Sequence, residues 1–198
     1  MTTESDPRAL LTRALDQIGD LVAATGPDAL DRPTPCADWD VRALLDHLVG
    51  VHRRIAHVGA GGHFADVPSR PEVAPGTHAA EIAAARADVD RVWIHDDTVL
   101  DRVLTVPWGT MPGRFVGFGY VQELTVHAWD LGAAIGRTAG LDDALALAVE
   151  DTARQVLPAA PRGGDIPFGP PVAVAADAGP YERLVGWLGR DPQGLLVR

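Results

Sequence analysis

The sequence predicts an all-α protein, an antiparallel four-helix bundle with an irregular hairpin excursion and a short C-terminal extension. Three observations carry that prediction. Four long stretches, residues 7–24, 41–57, 77–95 and 116–135, repeat apolar residues at helical spacing. Gly- and Pro-rich segments punctuate them. Very little of the chain reads as strand, which argues for helices packed on helices. The 198 residues suffice for one domain with a small appendage. We place the bundle in 1–158 and the extension, packed on it, in 159–198.

The first helix opens at Pro7, where a first-turn proline is tolerated. Leu10, Leu11, Ala14, Ile18, Leu21 and Val22 form its apolar stripe, and Gly26-Pro27 follows its end. Pro33-Thr-Pro-Cys-Ala-Asp-Trp-Asp40 reads as a rigid entry loop. Asp40 is a suitable N-cap for the second helix, with Trp39 placed to staple onto Leu44. Val41, Leu44, Leu45, Leu48 and Ile55 mark that helix's core face, and Gly59-Ala-Gly-Gly62 ends it. After a Gly/Pro-rich loop, Thr77 is the expected cap of the third helix, which turns Ile82, Ala85, Val89 and Val92 inward. Two β-like runs around Pro107 and Gly109 predict the hairpin. The fourth helix is expected over 116–135 and a fifth over 141–157. Beyond Pro158 the chain becomes turn-rich, with a short strand expected at Val172–Ala176 and a last short helix at 180–188.

Composition narrows the partners. The net charge is −10, so no basic stripe exists to neutralise nucleic-acid phosphates. All 17 basic residues are Arg, which we read as the coding bias of a GC-rich genome. One cysteine, Cys36, excludes an intramolecular disulfide. The acidic N-terminus lacks the apolar core of a signal peptide. No apolar run approaches the roughly 20 residues of a membrane span. A cytoplasmic protein with no membrane or nucleic-acid partner is expected, and a homodimer is compatible with this reading.

The chemistry is expected at Glu123 and His127, an i, i+4 pair on the fourth helix. Such a pair is separated by about 6 Å along the axis, so both side chains can point at one ion. On a helical wheel they fall at the margin of the apolar face, and His47 falls at the matching margin of the second helix. Bundle metal sites are built from inward-leaning side chains of this kind. Imidazole with carboxylate suits zinc or a neighbouring divalent ion, and three protein ligands leave the open position of a catalytic site. A lone Glu-x-x-x-His pair is more often solvated surface. His52 also competes, because it lies nearer the centre of its apolar face. His57, His63, His78 and His95 read as cap or surface residues, and Cys36 as a small buried loop residue. Asp130 is a candidate to orient a ligand histidine. Trp39 and Trp129 read as packing groups, Trp108 as the mouth of a pocket, and Tyr120 as a wall residue.

Two blocks bear a resemblance beyond this pattern. Thr34-Pro-Cys-Ala-Asp-Trp-Asp-Val-Arg-Ala-Leu-Leu-Asp-His-Leu-Val-Gly50 and Glu123-Leu-Thr-Val-His-Ala-Trp-Asp-Leu131 resemble the DinB/YfiT-like metalloprotein superfamily. The similar branch is that of the N-terminal domain of mycothiol-dependent maleylpyruvate isomerase, and Leu188-Gly-Arg-Asp-Pro192 resembles its tail. The resemblance implies a four-helix bundle holding zinc or nickel on His47, Glu123 and His127. Many superfamily members carry a third histidine where this chain has Glu123, as the isomerase branch does. The isomerase also has a larger second domain supplying a catalytic arginine. Arg162, Arg183 and Arg190 are available here, but none maps onto that role.

The resemblance implies a metal-dependent enzyme using a small thiol, mycothiol, whose metal-bound thiolate attacks an electrophilic substrate in an S-transferase or isomerase reaction. Coordination favours the thiolate, and the protein holds it against the electrophile. Two alternatives stay open. One is a hydrolase whose nucleophile is metal-bound water. The other is a metal-binding protein without catalysis.

Overall fold

The computed structural model describes residues 6–36, 39–163 and 168–194. Parts of the acidic N-terminus, Ala37 and Asp38 of the entry loop, and residues 164–167 of the turn-rich stretch lie outside the described residues. Among the described residues six α-helices form: α1 (Arg8–Ala23), α2 (Val41–Gly59), α3 (His78–Val89), α4 (Gly113–Ile135), α5 (Asp143–Val156) and α6 (Pro180–Trp187). One π-helical turn, Asp90–Ile94, prolongs α3. Strands β1 (Val103–Val106) and β2 (Gly109–Pro112) make an antiparallel hairpin in which Val106 pairs with Gly109.

The bundle expected from the sequence forms, with α1 to α4 around a shared core. Its neighbours run in two senses. Helices α1 and α3 are antiparallel: Arg8 at the start of α1 pairs with Asp97 beyond α3, and Asp16 at its middle pairs with Arg86 in the last turn of α3. Helices α2 and α4 are also antiparallel, since Trp39 reaches His127 while Arg102, whose carbonyl accepts from the first amide of α4, bonds Gly59 at the far end of α2. Helices α2 and α3 run parallel, as Asp46–His78 and the Gly59–Trp93 contact show. So do α1 and α4, with Pro7 against Gly117 at their starts and Gln17, in the second half of α1, accepting from the Asp142 amide beyond the end of α4. The long connections before α3 and α4 make the parallel pairs possible.

The core residues come from the stripes that the periodicity marks. Leu11, Ile18, Leu44, Leu48, Ile55, Val89, Leu124 and Leu131 are all fully enclosed. Truncating one such leucine costs about 2–5 kcal/mol in comparable cores. Asp40 caps α2 as expected, accepting from the Ala43 amide at 2.8 Å. Thr77 precedes α3 but makes no side-chain cap, because its hydroxyl donates to Ala74 O instead. Helix α4 starts at Gly113, three residues earlier than Val116. The Gly113 amide donates to Arg102 O at 2.8 Å, tying the hairpin to the helix start. Gly136 closes α4 at φ +73°, a left-handed geometry that favours glycine.

The chain beyond α5 departs from one expectation. Val172–Ala176 forms no strand; the Val172 amide bonds Gly186 O on α6 at 2.8 Å. A strand needs a paired neighbour, and this segment runs against a helix. Helix α6 packs on α5 through Trp187, which donates to Ala153 O, and through the Arg183–Glu150 ion pair at 3.0 Å. Among the described residues no helix is long and apolar enough to cross a membrane.

Candidate metal centre

Helices α2 and α4 bring His47, Glu123 and His127 to one point. His47 Nε2 lies 3.1 Å from Glu123 Oε1, and His127 Nε2 lies 3.6 Å from the same oxygen. One ligand atom from each residue falls within 4.8 Å of the others. Two donors each about 2.1 Å from one ion stand roughly 3.0–3.4 Å apart in octahedral or tetrahedral geometry. The 3.1 Å spacing falls within that range and the 3.6 Å spacing slightly above it, so the two-imidazole, one-carboxylate donor set fits a divalent transition ion with a small adjustment of His127. Both histidines are buried, whereas the Glu123 side chain is 33% exposed. Access is therefore from the Glu123 side.

Each histidine is held by its second nitrogen. His47 Nδ1 lies 2.9 Å from the Ser69 carbonyl. A carbonyl only accepts, so Nδ1 carries the proton and Nε2 faces Glu123. His127 Nδ1 lies 3.0 Å from Asp130 Oδ2, with the same consequence. The loop reaches His47 because Gly50 lets the backbone of Pro68 and Ser69 lie directly on α2; a Cβ there would meet Ser69 O at 2.5 Å. Trp39 roofs both imidazoles, with ring centroids 4.7 Å from His47 and 6.0 Å from His127. Thr34 fixes that loop by donating to Trp39 O at 2.9 Å.

The electrostatics favour a cation. Burial alone would raise the Glu123 carboxyl, but hydrogen bonds from His127 and His47 hold it well below the usual range. Burial alone would lower His127, but bonds to Asp130 and Glu123 outweigh it and raise the imidazole to about 9. Without a metal, the protonated His127 ring stands between two carboxylates, its Nδ1–H on Asp130 and its Nε2 3.6 Å from Glu123. Asp130 is fully buried and still held low, with Arg190 as the strongest opponent of its desolvation.

Cys36, His127 and Asp130 form a second group of close donors. There Arg190 already supplies the positive charge, at 3.0 Å from Asp130 Oδ2. Burial, followed by the Asp130 charge, pushes the Cys36 thiol up to about 11, so it stays protonated and weakly nucleophilic.

The remaining expected residues separate cleanly. His52 is wholly buried away from the triad, its Nδ1–H donating to Leu48 O at 2.7 Å. Tyr120 is buried one turn before Glu123, with the exposed Trp108 edge-on to it at 5.3 Å. His78 proves to be buried and paired with Asp46 at 2.8 Å, tying α3 to α2, where the sequence suggested a surface or capping role. Clefts of about 470 and 440 Å³ flank α1, and neither is lined by a residue of the triad. Sequence reasoning missed the Ser69 carbonyl, the Trp39 roof and Arg190. The Ser69 and Arg190 contacts, and that of Trp39 with His127, join residues that no local period brings together.

Fold and cluster define a helical bundle in which two buried histidines meet one part-exposed carboxylate. The chain belongs to the mycothiol maleylpyruvate isomerase N-terminal domain family, whose sequence model matches residues 11–132. An uncharacterized protein of Mycobacterium tuberculosis, found in strains CDC 1551 and H37Rv, is 31% identical over 186 residues, covering 93% of this chain and 98% of the relative. The crystal structure of the mycothiol-dependent maleylpyruvate isomerase matches with a TM-score of 0.55 at 16% identity, over 77% of this chain and 72% of that one. At that identity the likeness concerns the fold.

Proposed function

We propose that this protein is a metal- and mycothiol-dependent enzyme of the S-transferase or isomerase type, working in the cytoplasm. The observation that carries the reading is the buried His47–Glu123–His127 cluster, open on the Glu123 side, in a chain of this family. Zinc or nickel held by these three residues would favour the thiolate form of a bound thiol. The chain's own part is positional. Ser69 O and Asp130 hold the Nδ1–H of both histidines, which leaves each Nε2 for the point beside Glu123 where an ion would be held. Trp39 excludes water from the histidine side. Tyr120 and Trp108 wall the next turn of α4.

In transfer, the thiolate forms a C–S bond while the leaving group departs with its electron pair. In isomerisation, the thiolate adds to a double bond, the resulting single bond rotates, and the thiolate is expelled. Holding both reactants in contact supplies most of the advantage in either case.

The test is to incubate the zinc- and nickel-loaded protein with mycothiol and a panel of activated alkenes, epoxides, and alkyl and aryl halides. Thiol consumption and product mass are followed. The reading expects a conjugate or an isomerised alkene that requires both metal and mycothiol. Absence of mycothiol binding together with absence of product across the panel would refute it.

A further inference from the structure

We infer that Arg190, in the segment after α6, is a positioning residue for the metal centre, acting through Asp130 on His127; this rests on the metal-site reading above. The geometry is a continuous buried chain. Arg190 Nη2 lies 3.0 Å from Asp130 Oδ2 and its Nε 3.3 Å from Oδ1, so the guanidinium fork grips both carboxylate oxygens. Asp130 Oδ2 in turn accepts from His127 Nδ1–H at 3.0 Å. His127 Nε2 then faces Glu123. A bidentate arginine fixes a carboxylate in rotation as well as in place. Asp130 thereby has one orientation available, and that orientation sets both the tautomer and the ring angle of His127.

Arg190 is itself anchored. It donates to Leu188 O at 3.3 Å and stacks over Phe168 at 5.9 Å. Its backbone amide bonds Val185 O at 2.9 Å, and Gly189 takes φ +83° to make that turn. The α6 segment therefore delivers one cation to the far side of the triad. The residue lies outside the 11–132 span that the family domain covers. The candidate centre is thus completed by chain beyond that domain.

The experiment compares wild type with Arg190→Met, Arg190→Lys, Asp130→Asn and Arg183→Met. Arg183 ties the same segment to Glu150 and, among the described residues, has no bonded path to the triad, so its variant reports loosening of the segment alone. Zinc affinity is measured by chelator competition, the cobalt-loaded visible spectrum reports ligand geometry, and thermal melting of the metal-free forms reports folding. Arg190→Met and Asp130→Asn should each weaken zinc binding about 10–100-fold and shift the cobalt bands. Arg190→Lys should recover most of the affinity, with a residual spectral shift from the lost fork. Arg183→Met should lower the melting temperature and leave zinc affinity and spectrum unchanged. Wild-type affinity and spectrum in Arg190→Met, or in Arg190→Lys and Asp130→Asn should that variant not fold, would overturn the inference. An equal loss in Arg183→Met would do the same. Failure of wild type to bind any metal would instead remove the reading on which it rests.

Discussion

His47 Nε2 and Glu123 Oε1 lie 3.1 Å apart, although 76 residues separate them in the chain. Their contact is where α2 and α4 face each other, and His127 shares the same oxygen. A proton and a metal ion therefore compete for one spot. In the metal-free protein His127 is raised to about 9, after hydrogen bonds to Asp130 and Glu123 outweigh burial. Metal binding must release that proton below about pH 9, so zinc affinity should rise by up to about tenfold per pH unit toward pH 9 and then level off. Chelator competition from pH 6 to 10 checks this, and a flat profile contradicts it. The sign for the metal-free fold is opposite. A raised imidazole contributes stability fully present below its unfolded value of 6.5 and lost as pH rises through about 9.

Gly50 is small for a reason that reaches the site. A methyl there would overlap Ser69 O at 2.5 Å and Pro68 O at 2.9 Å. Those atoms are backbone and cannot swing aside. Gly50→Ala should push the 67–69 loop off α2, break the His47–Ser69 bond, and cost about 1–3 kcal/mol from overpacking. Zinc affinity should fall with it. Urea unfolding and zinc competition on the variant measure both, and an unchanged zinc affinity would show that the Ser69 carbonyl does not position His47.

His52 reports on the core independently of metal. Burial is the main cause that lowers it to about 4, against its hydrogen bond to Leu48. Its Nε2 has no partner among the described residues. A depressed imidazole contributes stability present above its unfolded value of 6.5 and lost as pH falls toward about 4. Between pH 7 and 5 wild type should lose about 2 kcal/mol more than His52→Leu does. Urea denaturation of both proteins at the two pH values decides it; parallel losses would mean that His52 is not buried neutral.

Asp130→Ala should be more damaging than its single-residue size suggests. It would leave the Arg190 guanidinium enclosed without its counter-ion, and unpairing a buried charge costs about 3–5 kcal/mol. The double variant Asp130→Ala, Arg190→Met should be more stable than Asp130→Ala alone. Chemical unfolding of the two proteins measures that difference, and additive losses would contradict it.

Much of this was legible in the residues. Apolar spacing located all four bundle helices, because packing against one core demands it. The wheel also put His47, Glu123 and His127 on matching margins. The helix directions were not legible, since spacing says which face is buried and nothing about which neighbour covers it. Val172–Ala176 reads as strand from its β-branched residues, yet it found a helix for a neighbour. Trp39 reads as a staple and packs on the core, yet its cover over two imidazoles was not legible, because only the fold brings His127 beneath the entry loop. Arg190 sits in a tail with no periodicity, and only the fold carries it to Asp130.

The central claim is that His47, Glu123 and His127 hold one divalent ion. Elemental analysis of wild type against His47→Ala, Glu123→Ala, His127→Ala and His52→Ala, each purified with equal access to zinc and nickel, tests it most directly. The account predicts close to one equivalent of metal in wild type and in His52→Ala, and loss of it in the other three. Metal retained in any of those three, or lost in His52→Ala while that variant stays folded, would contradict it.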